Sequence, residues 1–523
     1  MFLRKLRSVT LMAAGGNKQD KLYPFKYKEQ QGGGGGAGGG GGGGGYIISP
    51  TITTTTPLYY LFIFLSVWFL FLFFFFSSSS PTNSTITTPL SSLSSSQLRT
   101  LPSLPLNDRK LTATSSSPTA VCDGSVSVYV YDLPAKFNLG LLQDCQHLNV
   151  YTDMCPHVAN KGLGQPLVQM NDDNKDGRLS WFATHQFIAE MIFHARVENH
   201  PCRTWEPNEN ATTLFYVPFY GGLHASSKFR EADLAARDRL AMELVEYLSQ
   251  QQWWKRNQGR DHFLALGRTA WDFMRTKSGP DFGANSLLNL PHVKNMSVLT
   301  VERHPWQGSN QHGIPYPSYF HPTTSDEMLT WQNRMRLMDR PHLFSFVGAP
   351  RTGVEKAAIR DQILKQCAES TRCNLLKCGR VGASKCHNPK EVLRVMSRSV
   401  FCMQAPGDSF TRRSTFDSVL AGCIPVFFSP HTAYTQYGWY LPEEPSEYSV
   451  YIPEEKWSRM EEELLKIPKE KVQKMRSTVI DLIPRFTYTH PNATNYNNKD
   501  YPDAVDLALA QLSRHVMQQQ QQH

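Results

Sequence analysis

Past residue 121 the sequence predicts a doubly wound α/β fold, in two Rossmann-like halves whose strand ends face a shared cleft. Three observations predict it. Short β-rich apolar runs alternate with longer helical stretches from Ser125 onward, and the alternation resumes after Arg340. Within the second half, Ser399–Phe428 reads as a complete strand–helix–strand unit. The chain has 523 residues, and the region before residue 122 carries little that could form a packed core. The remainder suffices for two domains, 122–340 and 341–516, ahead of a Gln-rich tail over 517–523.

Taken in order, the first half has strands at Ser127–Tyr131, Thr213–Val217, Phe263–Leu266 and Val298–Val301, with helices over Trp181–Val197 and Arg230–Gln250. The second half opens with a strand at Leu343–Val347 and a helix over Lys356–Ser370. Ser399–Gln404 is then a strand, Arg412–Ala421 a helix ended by Gly422, and Cys423–Phe428 a strand. Ligands of such sheets sit outside the carboxyl ends of the strands.

The amino-terminal region is different in kind. Leu58–Phe76 is a Phe-rich run of nineteen residues without a charge, long enough to cross a bilayer as a helix. Arg4, Lys5, Arg7, Lys18, Lys21, Lys26 and Lys28 precede it, whereas no Lys or Arg follows before Arg99. The positive-inside rule therefore puts residues 1–57 in the cytosol and everything after Phe76 on the lumenal side. The glycine tract Gly32–Gly45 and the Ser/Thr/Pro-rich stem over 77–121 read as flexible segments.

A lumenal address fits the chemistry of the rest of the chain. All ten cysteines, Cys122 to Cys423, lie after the span, where disulfides form. Asn-x-Ser/Thr sequons occur there at Asn83, Asn210, Asn295 and Asn492. The cluster Cys373, Cys378, Cys386 and His387 lacks the paired short spacings of structural zinc sites, so local disulfides are expected rather than a metal. The net charge of +9 owes five units to the cytosolic tail, seven basic residues against two acidic. No arginine-rich stripe with interleaved aromatics appears, which argues against nucleic-acid binding.

The segment Ser399–Phe428 carries the chemistry. Its strand runs into Ala405-Pro406-Gly407-Asp408-Ser409, and the helix after it opens on Arg412 and Arg413. Cations in a helix's first turn are disfavoured by about 0.3–1 kcal/mol each, so an anion is expected there to compensate. A diphosphate met by arginine forks and free backbone N–H groups fits. Asp417, one turn on, can accept hydrogen bonds from a ribose or offset the arginines. Arg351 closes a second strand-end loop, Gly348-Ala349-Pro350-Arg351, aimed at the same cleft.

On these residues, the chain resembles the exostosin-domain glycosyltransferases of family 47 over roughly 126–516. The matching pieces are VYVYDLPAKF at 128–137, THQF at 184, LFYVPFYGGL at 214–223, GRDHFLALGRTAWDF at 259–273, GIPYPSYFHP at 313–322, FSFVGAPR at 344–351 and PGDSFTRRSTFDSVLAGCIPVFF. The likeness is to the plant branch that contains xyloglucan galactosyltransferases. It implies a GT-B fold, a Golgi type II membrane enzyme, a UDP-sugar donor, a xyloglucan acceptor, inversion at the sugar carbon and no obligatory metal. It also implies that Asp417 holds the donor ribose, that Arg351, Arg412 and Arg413 hold the diphosphate beside Gly407, and that Asp408 and Ser409 flank the donor sugar. Association with other Golgi transferases is a further expectation.

An inverting mechanism needs a base on an amino-terminal strand-end loop, and Asp132 and His224 qualify by position. Family members often carry an acidic residue where His224 stands. His185, His194, Asp261 and His262 read as hydrogen-bonded packing groups, and Trp205, Trp271 and Trp306 as core or sugar-stacking aromatics. Two other readings stand beside the leading one: the same enzyme with galacturonic acid or arabinose as its sugar, and a non-catalytic polysaccharide-binding scaffold.

Overall fold

The computed structural model describes residues 126–171, 179–207, 212–276, 285–379, 383–493 and 501–521. The expected span 58–76, the glycine tract, the stem, Cys122 and the sequons at Asn83 and Asn210 lie outside them. Among the described residues no helix is long and apolar enough to cross a membrane.

Six strands form the first sheet: β1 (Val126–Val130), β2 (Arg203–Thr204), β3 (Thr212–Val217), β4 (His262–Thr269), β5 (Ser297–Glu302) and β6 (Gln311–Gly313). They lie in the order β2-β1-β3-β4-β5-β6, every pairing parallel. The second sheet holds β7 (His342–Gly348), β8 (Cys373–Lys377), β9 (Ser399–Gln404), β10 (Ile424–Phe427) and β11 (Val450–Tyr451), in the order β11-β10-β9-β7-β8, again all parallel. The principal helices are α1 (Ala189–Glu198), α2 (Gly221–Ser227), α3 (Leu234–Gln250), α4 (Ser325–Leu337), α5 (Ile359–Glu369), α6 (Pro389–Ser397), α7 (Arg413–Leu420), α8 (Lys469–Asp481) and α9 (Ala504–Gln521).

The strand sequences show why the sheets are buried on both faces. In β3, Leu214 and Tyr216 join one apolar cluster while Phe215 and Val217 join another. In β4, Phe263 and Ala265 divide from Leu264 and Leu266 in the same way. Period-two alternation of apolar residues with apolar residues is the mark of a central parallel strand. Helix α3 covers one of these faces with Ala241, Leu244 and Leu248, spaced three and four apart, and is capped by Asp233, whose side chain accepts from the Ala235 amide.

The helix expected over Trp181–Val197 begins only at Ala189. Trp181 and Phe182 instead form isolated antiparallel bridges with Phe320 and Pro166, and the Trp181 ring packs 4.7 Å from those of both Phe320 and Trp331. Their apolarity serves a tertiary contact that local periodicity does not show. Helix α9 runs to Gln521, through much of the expected tail.

Connectivity sets the position of the loops. The chain passes from β7 to β8 on one side and then to β9 on the other, so the loops after β7 and β9 flank a topological switch point. The Cys402–Cys423 disulfide ties β9 to the entry of β10 and encloses the intervening loop and α7. Closing a ring of that size contributes about 3 kcal/mol by restricting the unfolded chain. Cys145–Cys155, Cys367–Cys373 and Cys378–Cys386 are also bonded, so the cysteines of the expected local cluster are engaged in disulfides.

The last helix reaches back to the first half. At its start Asp503 accepts from Arg196 of α1, at 3.0 Å from Nε and 2.6 Å from Nη2, and both side chains are fully buried. Asp503 also accepts the amides of Thr489, Val505 and Asp506. Removing one partner of such a pair strands a buried charge and costs about 3–5 kcal/mol. Arg196→Met is expected to lower the urea unfolding free energy by an amount in that range, and adding Asp503→Asn should recover part of the loss. Equilibrium unfolding of both variants checks this.

Candidate active site

The site is built on the β9–α7 connection. The β9 strand ends at Gln404, Gly407 lies in the turn, and α7 starts at Arg413 with Arg412 as its N-cap and no side-chain cap. A Cβ at Gly407 would overlap the Arg412 guanidinium, so glycine is what lets the arginine lie across the loop. Asp408 receives Arg412 at 3.4 Å and Arg351, from the loop after β7, at 3.1 Å. The two strand-end loops predicted from sequence thus meet at this carboxylate.

Arg360 holds the same two loops from behind. Buried on α5, it donates to the carbonyls of Pro406 at 2.7 Å, Ala405 at 3.2 Å and Ala349 at 3.0 Å. Burial lowers its pKa to about 10.

Arg413 points toward the first half. Its Nη1 donates to the Thr184 carbonyl at 2.6 Å, its guanidinium lies 3.5 Å over the Tyr319 ring, and its Nε is 3.7 Å from Asp417. Asp417 is buried and accepts from Ser318 Oγ at 2.6 Å. Burial raises the Asp417 pKa, opposed chiefly by Arg413. Its carboxylate is therefore engaged in positioning Arg413. Among the described residues, Arg412 Nη2 and Arg413 Nε and Nη2 make no well-aligned hydrogen bond, the first two lying in the longer ion pairs to Asp408 and Asp417. Each such donor costs about 1–3 kcal/mol unless something accepts from it.

Glu302, the last residue of β5, supplies the link to the first sheet. It accepts from the amides of Phe410 at 3.1 Å and Thr411 at 3.0 Å, and from Trp271 Nε1 at 3.2 Å. Burial raises its pKa, while its hydrogen-bond donors and Arg412 oppose that shift. Next to Trp271 stands Asp272, whose Oδ2 accepts Arg268 Nε at 2.8 Å and Thr269 Oγ1 at 3.2 Å. Arg268 is clamped between the rings of Phe187 at 4.3 Å and Phe229 at 4.1 Å. His185, near Arg413 and Arg268, is held neutral, its pKa lowered to about 3 mainly by burial.

The two residues expected as bases, Asp132 and His224, make contacts of their own. Asp132 is exposed beyond β1, with its carbonyl accepting from Tyr247 of α3 at 3.3 Å. His224 is buried in α2, and burial lowers its pKa to about 4. The Gly222 and Leu223 amides at the start of α2 are fixed by the buried Glu190 at 2.8 Å each, and Ser226 Oγ meets Arg268 at 3.0 Å. His224 stands two positions from both Gly222 and Ser226, hence on the opposite side of the helix. Among the described residues, no hydrogen bond or ion pair joins Asp132 or His224 to the arginine loop. Glu302 had a signal in the sequence as an acidic residue closing a buried strand, and Asp272 lies in the short turn that follows β4.

Ser409 is buried, with Oγ 3.3 Å from the Thr411 carbonyl. The sequons Asn295 and Asn492 are exposed. No group of three or more metal-ligating side chains is assembled among the described residues.

The family model of the Exostosin GT47 domain matches residues 122–467. Probable xyloglucan galactosyltransferase GT17 of Arabidopsis thaliana is 66% identical over 393 residues, covering 75% of this chain and 83% of that protein. Xyloglucan galactosyltransferase MUR3 of the same plant is 44% identical over 399 residues, covering 75% and 63%. The crystal structure of the GtfA/B complex aligns with a TM-score of 0.28 at 9% identity, over 54% of this chain and 61% of that one. Identity of 66% over 393 residues, together with a domain match that takes in the β7 and β9 loops and the ends of β4 and β5, means that the chain belongs to the exostosin GT47 family.

Proposed function

We propose that the protein is an inverting glycosyltransferase of GT-B architecture that moves galactose from UDP-galactose onto xylosyl side chains of xyloglucan. The convergence of Arg351, Arg412 and Arg413 at the β7 and β9 strand ends, with guanidinium donors that make only long ion pairs within the protein, carries this reading. A diphosphate supplies the acceptor oxygens they lack, and its leaving charge is neutralised by Arg412, with Arg351 across the switch point. Asp408 holds Arg351 and Arg412 toward each other, and Asp417 holds Arg413. The names of the two plant relatives support xyloglucan as acceptor and galactose as donor sugar.

Asp272 is the base in this reading. Its Oδ2 is occupied by Arg268 and Thr269, which fixes the carboxylate and leaves Oδ1 for a substrate hydroxyl. The acceptor oxygen attacks the anomeric carbon from the face opposite the diphosphate, the bond to UDP breaks, and the hydroxyl proton passes to Asp272. Residues 58–76 anchor the enzyme in the Golgi membrane with the α/β part lumenal, and Asn210, Asn295 and Asn492 are candidate glycan acceptors.

The direct test is sugar transfer by the purified protein with a panel of UDP-sugars, with and without xyloglucan oligosaccharides and EDTA. Acceptor-dependent turnover of UDP-galactose that survives chelation is expected. Preference for UDP-galacturonic acid or a UDP-arabinose would change the sugar, and no turnover of any donor by folded protein would favour the scaffold reading. Arg412→Ala removes a charge-assisted contact of about 1.5–3 kcal/mol and should weaken UDP binding by roughly 10- to 100-fold, measured by calorimetry, with the melting temperature little changed. Asp272→Asn should lower kcat by about 10²–10⁴-fold at nearly constant KM for the donor, whereas Asp132→Asn should stay within a few-fold of the parent in the same steady-state assay.

A further inference from the structure

Beside the arginine loop the protein exposes an aromatic surface that the donor site does not use. Trp306, in the β5–β6 connection, is 63% exposed. Its ring is met edge-on by Phe410 of the arginine loop at 5.8 Å and by His431, just after β10, at 5.1 Å. Phe410 and His431 are themselves 5.2 Å apart, so the three rings form a closed cluster. His304 extends it inward, 5.7 Å from Trp306 and 4.2 Å from Trp271. The rings come from the carboxyl ends of β4, β5, β9 and β10, the side on which both sheets present ligand loops.

This surface is held in shape. The Trp306 and Gln307 amides both donate to His304 Nδ1, at 3.2 and 3.0 Å, which places the His304 proton on Nε2 and fixes the ring beneath Trp306. The Phe410 amide is held by Glu302. The surface is also uncharged at its centre: burial lowers the pKa of His304 to about 4 and lowers that of His431. Charged groups border it: Lys356 Nζ lies 5.0 Å over the Phe410 ring, and Arg303 adjoins His304.

We infer that Trp306, Phe410 and His431 form a stacking subsite for the pyranose rings of a neutral β-linked glycan chain, which runs past the donor site as the acceptor. The inference rests on the glycosyltransferase reading and adds where its acceptor binds. The exposed indole of Trp306, held by the Phe410 and His431 rings set steeply to it, offers a rigid, neutral aromatic face that matches the C–H faces of glucosyl units, and exposed apolar surface beside a binding site marks a contact site. Phe410 stands two residues from Arg412, so a sugar on this surface is a neighbour of the donor. Trp205 provides the contrast: it is 77% exposed but stacked on Arg203 at 3.8 Å, beyond the edge strand β2 at the far side of the first sheet.

The test titrates full-length protein with xyloglucan oligosaccharide, cellohexaose and UDP separately, following tryptophan fluorescence and heat. In Trp306→Ala, oligosaccharide affinity is expected to fall at least tenfold while UDP affinity and melting temperature hold within twofold and a few degrees; Trp306→Phe should keep most of the binding, and Trp205→Ala all of it. Unchanged oligosaccharide binding in Trp306→Ala overturns the subsite. Loss of UDP affinity instead makes the surface a nucleobase site and overturns it equally. If the parent protein binds cellohexaose through Trp306 but not xyloglucan, the subsite stands and the xyloglucan assignment fails.

Discussion

The carboxylate of Glu302 is the constraint on which the geometry of the cleft depends. It ends a strand of the first sheet yet accepts two backbone amides of the loop that ends a strand of the second. Its third donor, Trp271 Nε1, belongs to the turn that carries Asp272. A buried carboxylate without donors would be strongly disfavoured, and amides without an acceptor likewise. Each side therefore fixes the other, and Phe410, Asp272 and the arginine pair are oriented by one buried group.

Around that link the site is assembled from groups whose partners lie far apart in sequence. Arg360 satisfies carbonyls in both the β7 and β9 loops, Asp417 takes a hydroxyl from Ser318, and Arg413 reaches the Thr184 carbonyl. Each contact crosses from one element to another at the carboxyl ends of the strands. The buried Arg196–Asp503 pair does the same for α9, which comes after the second sheet in sequence and packs against α1 and β3 of the first. The two sheets are tied together at the cleft and at the last helix.

Both sheets contribute charged groups to the site, with the arginines more numerous on the second. The second sheet supplies Arg351, Arg412 and Arg413 with the carboxylates that hold them, and the first sheet supplies Glu302, the Arg268–Asp272 pair and neutral histidines. Burial opposes charge on His185 and His304, while arginines lower the electrostatic cost of ionising Glu302 and Asp417. Such an arrangement suits transfer between an anionic donor and a neutral acceptor, since the departing negative charge and the proton being removed are received on opposite sides.

The alternation of strands and helices is legible residue by residue, because apolar runs on β3, β4, β7 and β9 are bounded by turn residues. The sequence also located the loops Gly348–Arg351 and Ala405–Ser409, since a glycine turn between a buried strand and an arginine-opened helix is a local pattern. The residues facing those loops were another matter. Asp132 and His224 come after strands in sequence as convincingly as Asp272 and Glu302 do. Only the tertiary structure sets Glu302 against the arginine loop and, through Trp271, the turn that carries Asp272, while Glu190 fixes α2 and with it His224. The same holds for Trp181 and Phe182, whose apolarity reads as a helix face until Phe320 and Trp331 close over it. Local propensity and periodicity are carried by neighbouring residues, whereas the choice among equivalent strand ends is made by contacts from tens to more than a hundred residues apart, which no local pattern records.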